Sequence, residues 1–328
     1  MIGCHGPAVH GAEKIQDILH SYHDAMKYVH DQTVRHMELL KNLDDIVRAV
    51  KLPKQLAEHP WLPQTYGRVE WAVRGVYDAY IGWFDGHSRN LRPLHHTEYS
   101  KNIVRLTGGA KIIAAEIHTA IEESINCKKN IDCIHNKLQW ALQLIDNVLA
   151  ANLPDDFSVL DSKYMPRTLT HEEFVKTKIY ILTELGHAQS NPTARNWYLN
   201  DALETQTGVI PRISDSALKT GMYANTVDLI LNVMESKLHS EEALANWDNR
   251  CILFHLSDRE HYYKIRNGVF VSQKGAPCGT IHHGIVTTER HFKDLLGSPL
   301  DALTNFVIGN YEIIGSTPDF ISLLLLFK

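Results

Sequence analysis

A change of hydrophobic period at Gly208 constrains this chain more than any other feature. Before it, apolar residues recur at helical spacing. Ile15, Ile18, Leu19, Tyr22, Met26 and Val29 fall on one stripe, the pattern of an amphipathic helix. Ile134, Leu138, Leu142, Ile145 and Leu149 repeat it. After Gly208 the chain turns to short β-branched or aromatic runs at 251–256, 261–265, 268–271 and 279–287. The turn dipeptides Asn267-Gly268 and Lys274-Gly275 separate them, as in hairpins. A helical period cannot be accommodated in a sheet, so the expected fold class is mainly α followed by α+β.

Punctuation divides these blocks. Helices are predicted over 12–40, 43–50, 68–82, 97–149, 171–186, 193–205 and 214–236, with Gly108-Gly109 breaking the fourth. In the last of these, Leu218, Met222, Leu229, Ile230 and Val233 are predicted to face inward. Further helices fit 288–296, 299–308 and the run from 319, and one more strand fits 311–314. Pro53, Pro60 and Pro63 mark 53–66 as an irregular connector, 86–93 is a second, and 151–170 reads as a loop. Helix pairs joined by short turns suggest a helical-repeat arrangement, although no strict period is visible.

With 328 residues there is room for two or three domains. A net charge of −5 argues against non-specific nucleic-acid binding. The start carries no signal-peptide pattern, and the apolar run FISLLLLF near the end is too short to span a membrane and is expected to be a buried helix. A soluble, cytoplasmic protein is therefore expected. Cys4, Cys127, Cys133, Cys251 and Cys278 read as free thiols. Cys127, Cys133 and His135 lack zinc-site spacing, and the adjacent pairs Asp155-Asp156 and Glu172-Glu173 point apart on a helix. No P-loop, Rossmann or Gly-x-Ser-x-Gly pattern occurs.

Five segments in order carry a resemblance: CHGPAVHG, YHDAMKYVHDQTVR, KLPKQL, TYGRVEWAVRGVYDAYIGWFDG and LTELGHAQSNPTARNWYLNDALE. Together they resemble the alkylsulfatase family of zinc-dependent, metallo-β-lactamase-fold hydrolases. The resemblance implies that 1–92 is the tail of a catalytic domain leading into helices. It makes 93–211 a helical dimerisation domain, with a possible start near 12, and 213–328 an α+β domain similar to sterol carrier proteins. It implies a homodimer that acts on long-chain alkyl sulfates or holds a fatty ligand. It also implies a binuclear zinc centre, whose H-x-H-x-D-H cluster has no counterpart among the 20 histidines. The chain opens at the last metal motif and reads as an incomplete or degenerate member, not expected to hold zinc or cleave sulfate esters alone. The alternative is a non-catalytic dimeric binder of amphiphiles.

Residue by residue, His5 matches the family's final zinc-ligand position. Tyr77 matches the tyrosine that hydrogen-bonds the substrate sulfate, and Tyr80 lies three residues on, on the same helical face. A neutral phenol suits a sulfate oxygen because it donates without trapping the anion. A core stripe shared with Trp71, Trp83 and Phe84 is the other reading of these rings. His30 and Asp31 read either as a pair orienting a metal ligand or as a buried hydrogen-bonded pair. Arg74 reads as a solvated or ion-paired surface residue. In the C-terminal domain Val269, Val271, Ile281, Ile285, Leu295, Leu296, Phe306, Phe320 and Leu323 to Leu326 either line a lipid space or fill a core.

Overall fold

The computed structural model describes residues 1–3, 7–152, 170–210, 213–273, 277–297 and 299–327. They divide into two units, Met1–Ile210 and Pro211–Lys328. His5, Cys4, most of the predicted 151–170 loop with Asp155 and Asp156, and the Lys274-Gly275 turn lie outside the described residues.

The first unit is helical. It contains α1 (Ala12–Glu38), α2 (Leu43–Ala49), α3 (Lys54–Ala57), α4 (Val69–Ile81), α5 (His96–Leu106), α6 (Ala110–Asn126), α7 (Ile131–Ala150), α8 (His171–His187) and α9 (Pro192–Thr207). Side-chain caps set several starts. Asn42 accepts from the Asp45 N–H at 3.0 Å, Asn130 from Cys133 at 3.0 Å, and Thr170 and Glu173 form a reciprocal capping box. The short α3 lies inside the predicted irregular connector.

The predicted helical run 97–149 has a second break, at Cys127 to Asn130, where Cys127 and Cys133 form a disulfide. Cys251 and Cys278 form another. The free-thiol expectation is therefore corrected for four of the five cysteines.

Two cores hold this unit. α7 packs against α5, α6 and α8, and α8 against α9, burying Ile113, Ile117, Leu138, Ile145, Ile181 and Leu185. A smaller core joins α1, α2 and α4 through Val29, Ile46, Val50, Val73 and Tyr77. On α1 the predicted stripe is only partly inward. Ile18 and Val29 are buried, whereas Leu19, Tyr22 and Met26 are exposed.

The second unit places a five-stranded mixed sheet among helices. α10 (Asp215–Ala224), α11 (Val227–Lys237) and α12 (Ser240–Trp247) precede it. The predicted single helix 214–236 is thus two. Asn225 leaves helical geometry and Thr226 caps α11 by accepting from the Leu229 N–H. The face also differs: Leu218, Leu229 and Val233 are exposed, while Val227, Leu231 and Met234 are buried.

The strands are β1 (Cys251–Leu256), β2 (Arg259–Arg266), β3 (Val269–Ser272), β4 (Ile281–Thr287) and β5 (Glu312–Ile314), in the order β3-β2-β1-β4-β5. β1 is parallel to β4, and the other pairs are antiparallel. Asn267 and Gly268, both at positive φ, make the β2–β3 hairpin turn. α13 (Glu289–Gly297) and α14 (Pro299–Val307) follow β4, and α15 (Thr317–Leu325) closes the chain.

β1 is nearly continuously buried, as a central strand covered on both faces requires. Its Phe254 meets Tyr263, Phe270 and Phe292 edge-on. Phe320, Leu323 and Leu326 of the terminal run are buried beside them. Among the residues predicted to line a lipid space, Ile285, Phe320, Leu323 and Leu326 are buried in this core, whereas Val269 and Phe306 are exposed.

Candidate functional site

The crossing of α1 and α4 brings three of the five predicted site residues together. His30 Nε2 lies 3.0 Å from the Tyr80 hydroxyl, and His30 Nδ1 lies 3.0 Å from Asp31 Oδ1. Lys27, one turn earlier on α1, donates to the other carboxylate oxygen of Asp31 at 2.5 Å. The chain Lys27–Asp31–His30–Tyr80 is partly exposed, and the buried pair expected of His30 and Asp31 is corrected to a surface one. The Lys27 ammonium, and then His30, hold the Asp31 carboxyl below its ordinary value.

In the tautomer that satisfies both contacts, His30 Nδ1 carries the hydrogen toward Asp31 and Nε2 accepts from the Tyr80 hydroxyl. In that tautomer the Tyr80 O–H is engaged by His30. Tyr77 is placed differently. It is 7% exposed, sits in the α1/α2/α4 core, and its hydroxyl donates to the Phe84 carbonyl at 3.4 Å. Tyr77 and Tyr80 thus diverge, one into the core and the other to the surface at 59% exposure. Trp71 and Trp83 are also exposed, so the aromatic stripe is not a core stripe. Arg74 pairs with Asp44 at 3.1 Å, as expected of a surface arginine.

Among the described residues no group of three or more His, Cys, Asp or Glu gathers. Both ring nitrogens of His30 are already hydrogen-bonded, which leaves none free to ligate.

Two residues not singled out by sequence shape the neighbourhood. Asn191 is fully buried. It caps α9, and its Nδ2 reaches across to the carbonyls of Gln64 and Gly67 at 2.9 and 3.4 Å. Gln64 in turn accepts from the Val69 N–H at 2.8 Å. Together they fix the segment that leads into α4. The Asn-Pro dipeptide at 191–192 signals the helix start but nothing in sequence signals the second contact. The other residue is Arg68, directly before α4. It lines an apolar groove of about 380 Å³ with Tyr22, Met26, Val29, Leu62 and Val76.

A family model described as alkyl sulfatase dimerisation matches residues 42–208. The chain belongs to this family. A linear primary-alkylsulfatase from a Pseudomonas strain is 31% identical over 207 residues, covering 63% of this chain and 34% of that protein. An (R)-specific secondary-alkylsulfatase from Pseudomonas is 24% identical over 317 residues, covering 96% of this chain and 43% of its own length. An alkyl/aryl-sulfatase of Saccharomyces cerevisiae is 25% identical over 244 residues. The chain therefore spans less than half the length of the relatives it matches.

Among solved structures, a stereoselective inverting sec-alkylsulfatase, Pisa1, superposes with a TM-score of 0.78 at 21% identity, over 98% of this chain and 46% of that one. The helical region followed by an α+β region is thus the fold of the matching part of an alkylsulfatase. Among the described residues no helix is long and apolar enough to cross a membrane.

Proposed function

We propose that this chain supplies the dimerising and amphiphile-holding part of an alkyl sulfate hydrolase, and that it works as a homodimer. The observation that carries the reading is the family match over 42–208, which spans α2 to α9. The surface of that region supports it. Ile112, Ile125, Trp140 and Tyr180 are exposed on α6, α7 and α8, and Trp197 on α9 is 75% exposed. Spare apolar area of this kind is buried against a partner in most two-fold assemblies. Sedimentation equilibrium at micromolar concentration tests the dimer, and a monomer there contradicts it.

The α+β unit, on this proposal, resembles sterol carrier proteins in use as well as in element order, and retains long alkyl chains. Sulfate ester cleavage is assigned to zinc ligands other than the described residues. The purified chain is accordingly expected to release no alcohol from dodecyl sulfate, with or without added zinc. Turnover that needs both zinc and His5, lost in a His5→Ala variant, would overturn this part of the reading. Such a result would favour a hydrolase over the dimeric amphiphile binder.

A further inference from the structure

The two disulfides lie in very different surroundings. Cys251, at the start of the central strand β1, is 2% exposed, and its bridge to Cys278 spans 27 residues of chain. Cys127 and Cys133 are both only partly buried and lie six residues apart. They flank the α6–α7 turn, in which every residue from Lys128 to Asp132 is exposed. A reductant in water has open access to this turn and little to β1.

The α6–α7 hairpin also holds together without its bridge. Ile113 and Ile117 of α6 share one core with Leu138 and Ile145 of α7. Glu123 pairs with Lys137 at 2.5 Å, and Trp140 Nε1 donates to Glu116 at 3.0 Å. Closing so short a loop removes less chain entropy than closing the loop of the other bridge. Opening it is therefore a local event that the fold tolerates.

Electrostatics sets the two sulfurs apart. Cys133 lies in the first turn of the 20-residue α7, with its backbone N–H capped by Asn130. Cys127 is the residue that ends α6. The positive end of the α7 dipole favours a thiolate on Cys133, and the negative end of α6 disfavours one on Cys127. Lys128 and Lys129 stand in the same turn, against the single carboxylate of Asp132.

We propose that Cys127–Cys133 is a reversible thiol–disulfide exchange site with Cys133 as the leaving thiolate, and that Cys251–Cys278 is static. One thiolate of an incoming dithiol attacks Cys127 Sγ. The S–S bond breaks, and its electron pair leaves on Cys133. The second thiolate of the dithiol then attacks its own sulfur in the mixed disulfide and releases Cys127. The protein gains two electrons and two protons, and the dithiol, losing both, becomes a disulfide. The proposal is independent of the family reading.

The test is timed reduction of the native full chain by dithiothreitol, with Cys4 first blocked by iodoacetamide. Acid quenching, alkylation and peptide mass spectrometry read each bridge separately. Cys127–Cys133 is expected to open at least about tenfold faster than Cys251–Cys278 and to close again in oxidised glutathione. Amide exchange should rise only around 124–133, with the helical circular dichroism retained. Two single variants separate the sulfurs: at pH 7, Cys133 in Cys127→Ser should be alkylated about threefold faster than Cys127 in Cys133→Ser. Replacing both Lys128 and Lys129 by glutamine should slow the opening by about threefold, which a purely structural bridge would not show.

Bridges that open together, or Cys251–Cys278 opening first, would overturn the proposal. Reduction that unfolds the helical unit would overturn it too, by making Cys127–Cys133 a structural staple. Equal alkylation of the two single variants would remove Cys133 as the leaving thiolate. The timed reduction uses the wild-type chain, so it decides the matter even if a variant fails to fold.

Discussion

Replacing Asn191 by alanine should weaken the helical unit by about 2–3 kcal/mol. The figure follows from the bonds of one fully buried side chain. Its Oδ1 caps α9 by accepting from the Ala194 N–H at 3.0 Å, and losing such a cap costs about 1 kcal/mol. Its Nδ2 donates to the Gln64 carbonyl at 2.9 Å. Removing that donor loses a part-buried bond to the exposed Gln64, at about 1–1.5 kcal/mol. The contact to Gly67 at 3.4 Å is long and adds little. For a unit of this size, 2–3 kcal/mol corresponds to a melting shift of roughly 5–10 °C.

Asn191→Asp separates the two contributions. It keeps the cap but sets an oxygen against the Gln64 carbonyl, so it should be at least as damaging as alanine. Thermal melts followed by circular dichroism give the stability. Amide exchange at residues 64–72 gives the location, which matters because a chain of two units need not melt in one step. An Asn191→Asp protein that melts with the wild type, with unchanged exchange before α4, would refute the reasoning. Asn191 would then be a helix cap and nothing more.

Three further expectations follow. His36, His135, His261 and His283 each have a buried ring nitrogen without a hydrogen-bond partner among the described residues. Burial, first among the causes, pushes all four below their ordinary value of 6.5. The folded chain keeps them neutral while the unfolded chain protonates near 6.5, so stability should be full above that pH and fall as pH drops below it; a melting temperature flat from pH 8 to 5 would contradict this. Gly284→Ala should cost the α+β unit about 1–3 kcal/mol, because the new Cβ would overlap the Leu253 carbonyl of the neighbouring β1, and an unchanged melt of that unit would count against the close β1–β4 approach. Alkylation of the denatured, unreduced chain should label Cys4 alone, and after reduction all five cysteines, as mass spectrometry would read directly.

Local signals in the sequence located the elements well where one physical cause dominated. The strand at 251–256 was legible to the residue because an apolar run that is buried on both sides has no competing period. Asn267-Gly268 gave its hairpin because few other dipeptides accept positive φ twice in succession. The residues 214–236 look like one helix in sequence because apolar residues continue in step across Asn225, and a Thr cap inside such a run carries no periodic signal. Its inward face differs from the expected one for a related reason: apolar residues lie on both sides of α11, and the period alone does not choose between them.

The candidate site failed to be legible wherever it depended on distance along the chain. Tyr77 and Tyr80 are neighbours at i and i+3, yet on a helical wheel they are separated by about 60°, and the edge of the core falls between them. Only the packing of α1 on α4 decides that Tyr77 goes in and Tyr80 meets His30, 50 residues away. The bond from Asn191 to Gln64 spans 127 residues and has no local trace. Where the stripe on α1 fails is informative in itself. Tyr22 and Met26 obey the helical period as core residues do, yet they stay open to solvent and line the groove beside Arg68. Apolar residues placed by period and left uncovered carry a hydration cost that the fold alone does not recover. Such a conflict between local pattern and global packing is expected where a sequence serves binding as well as folding.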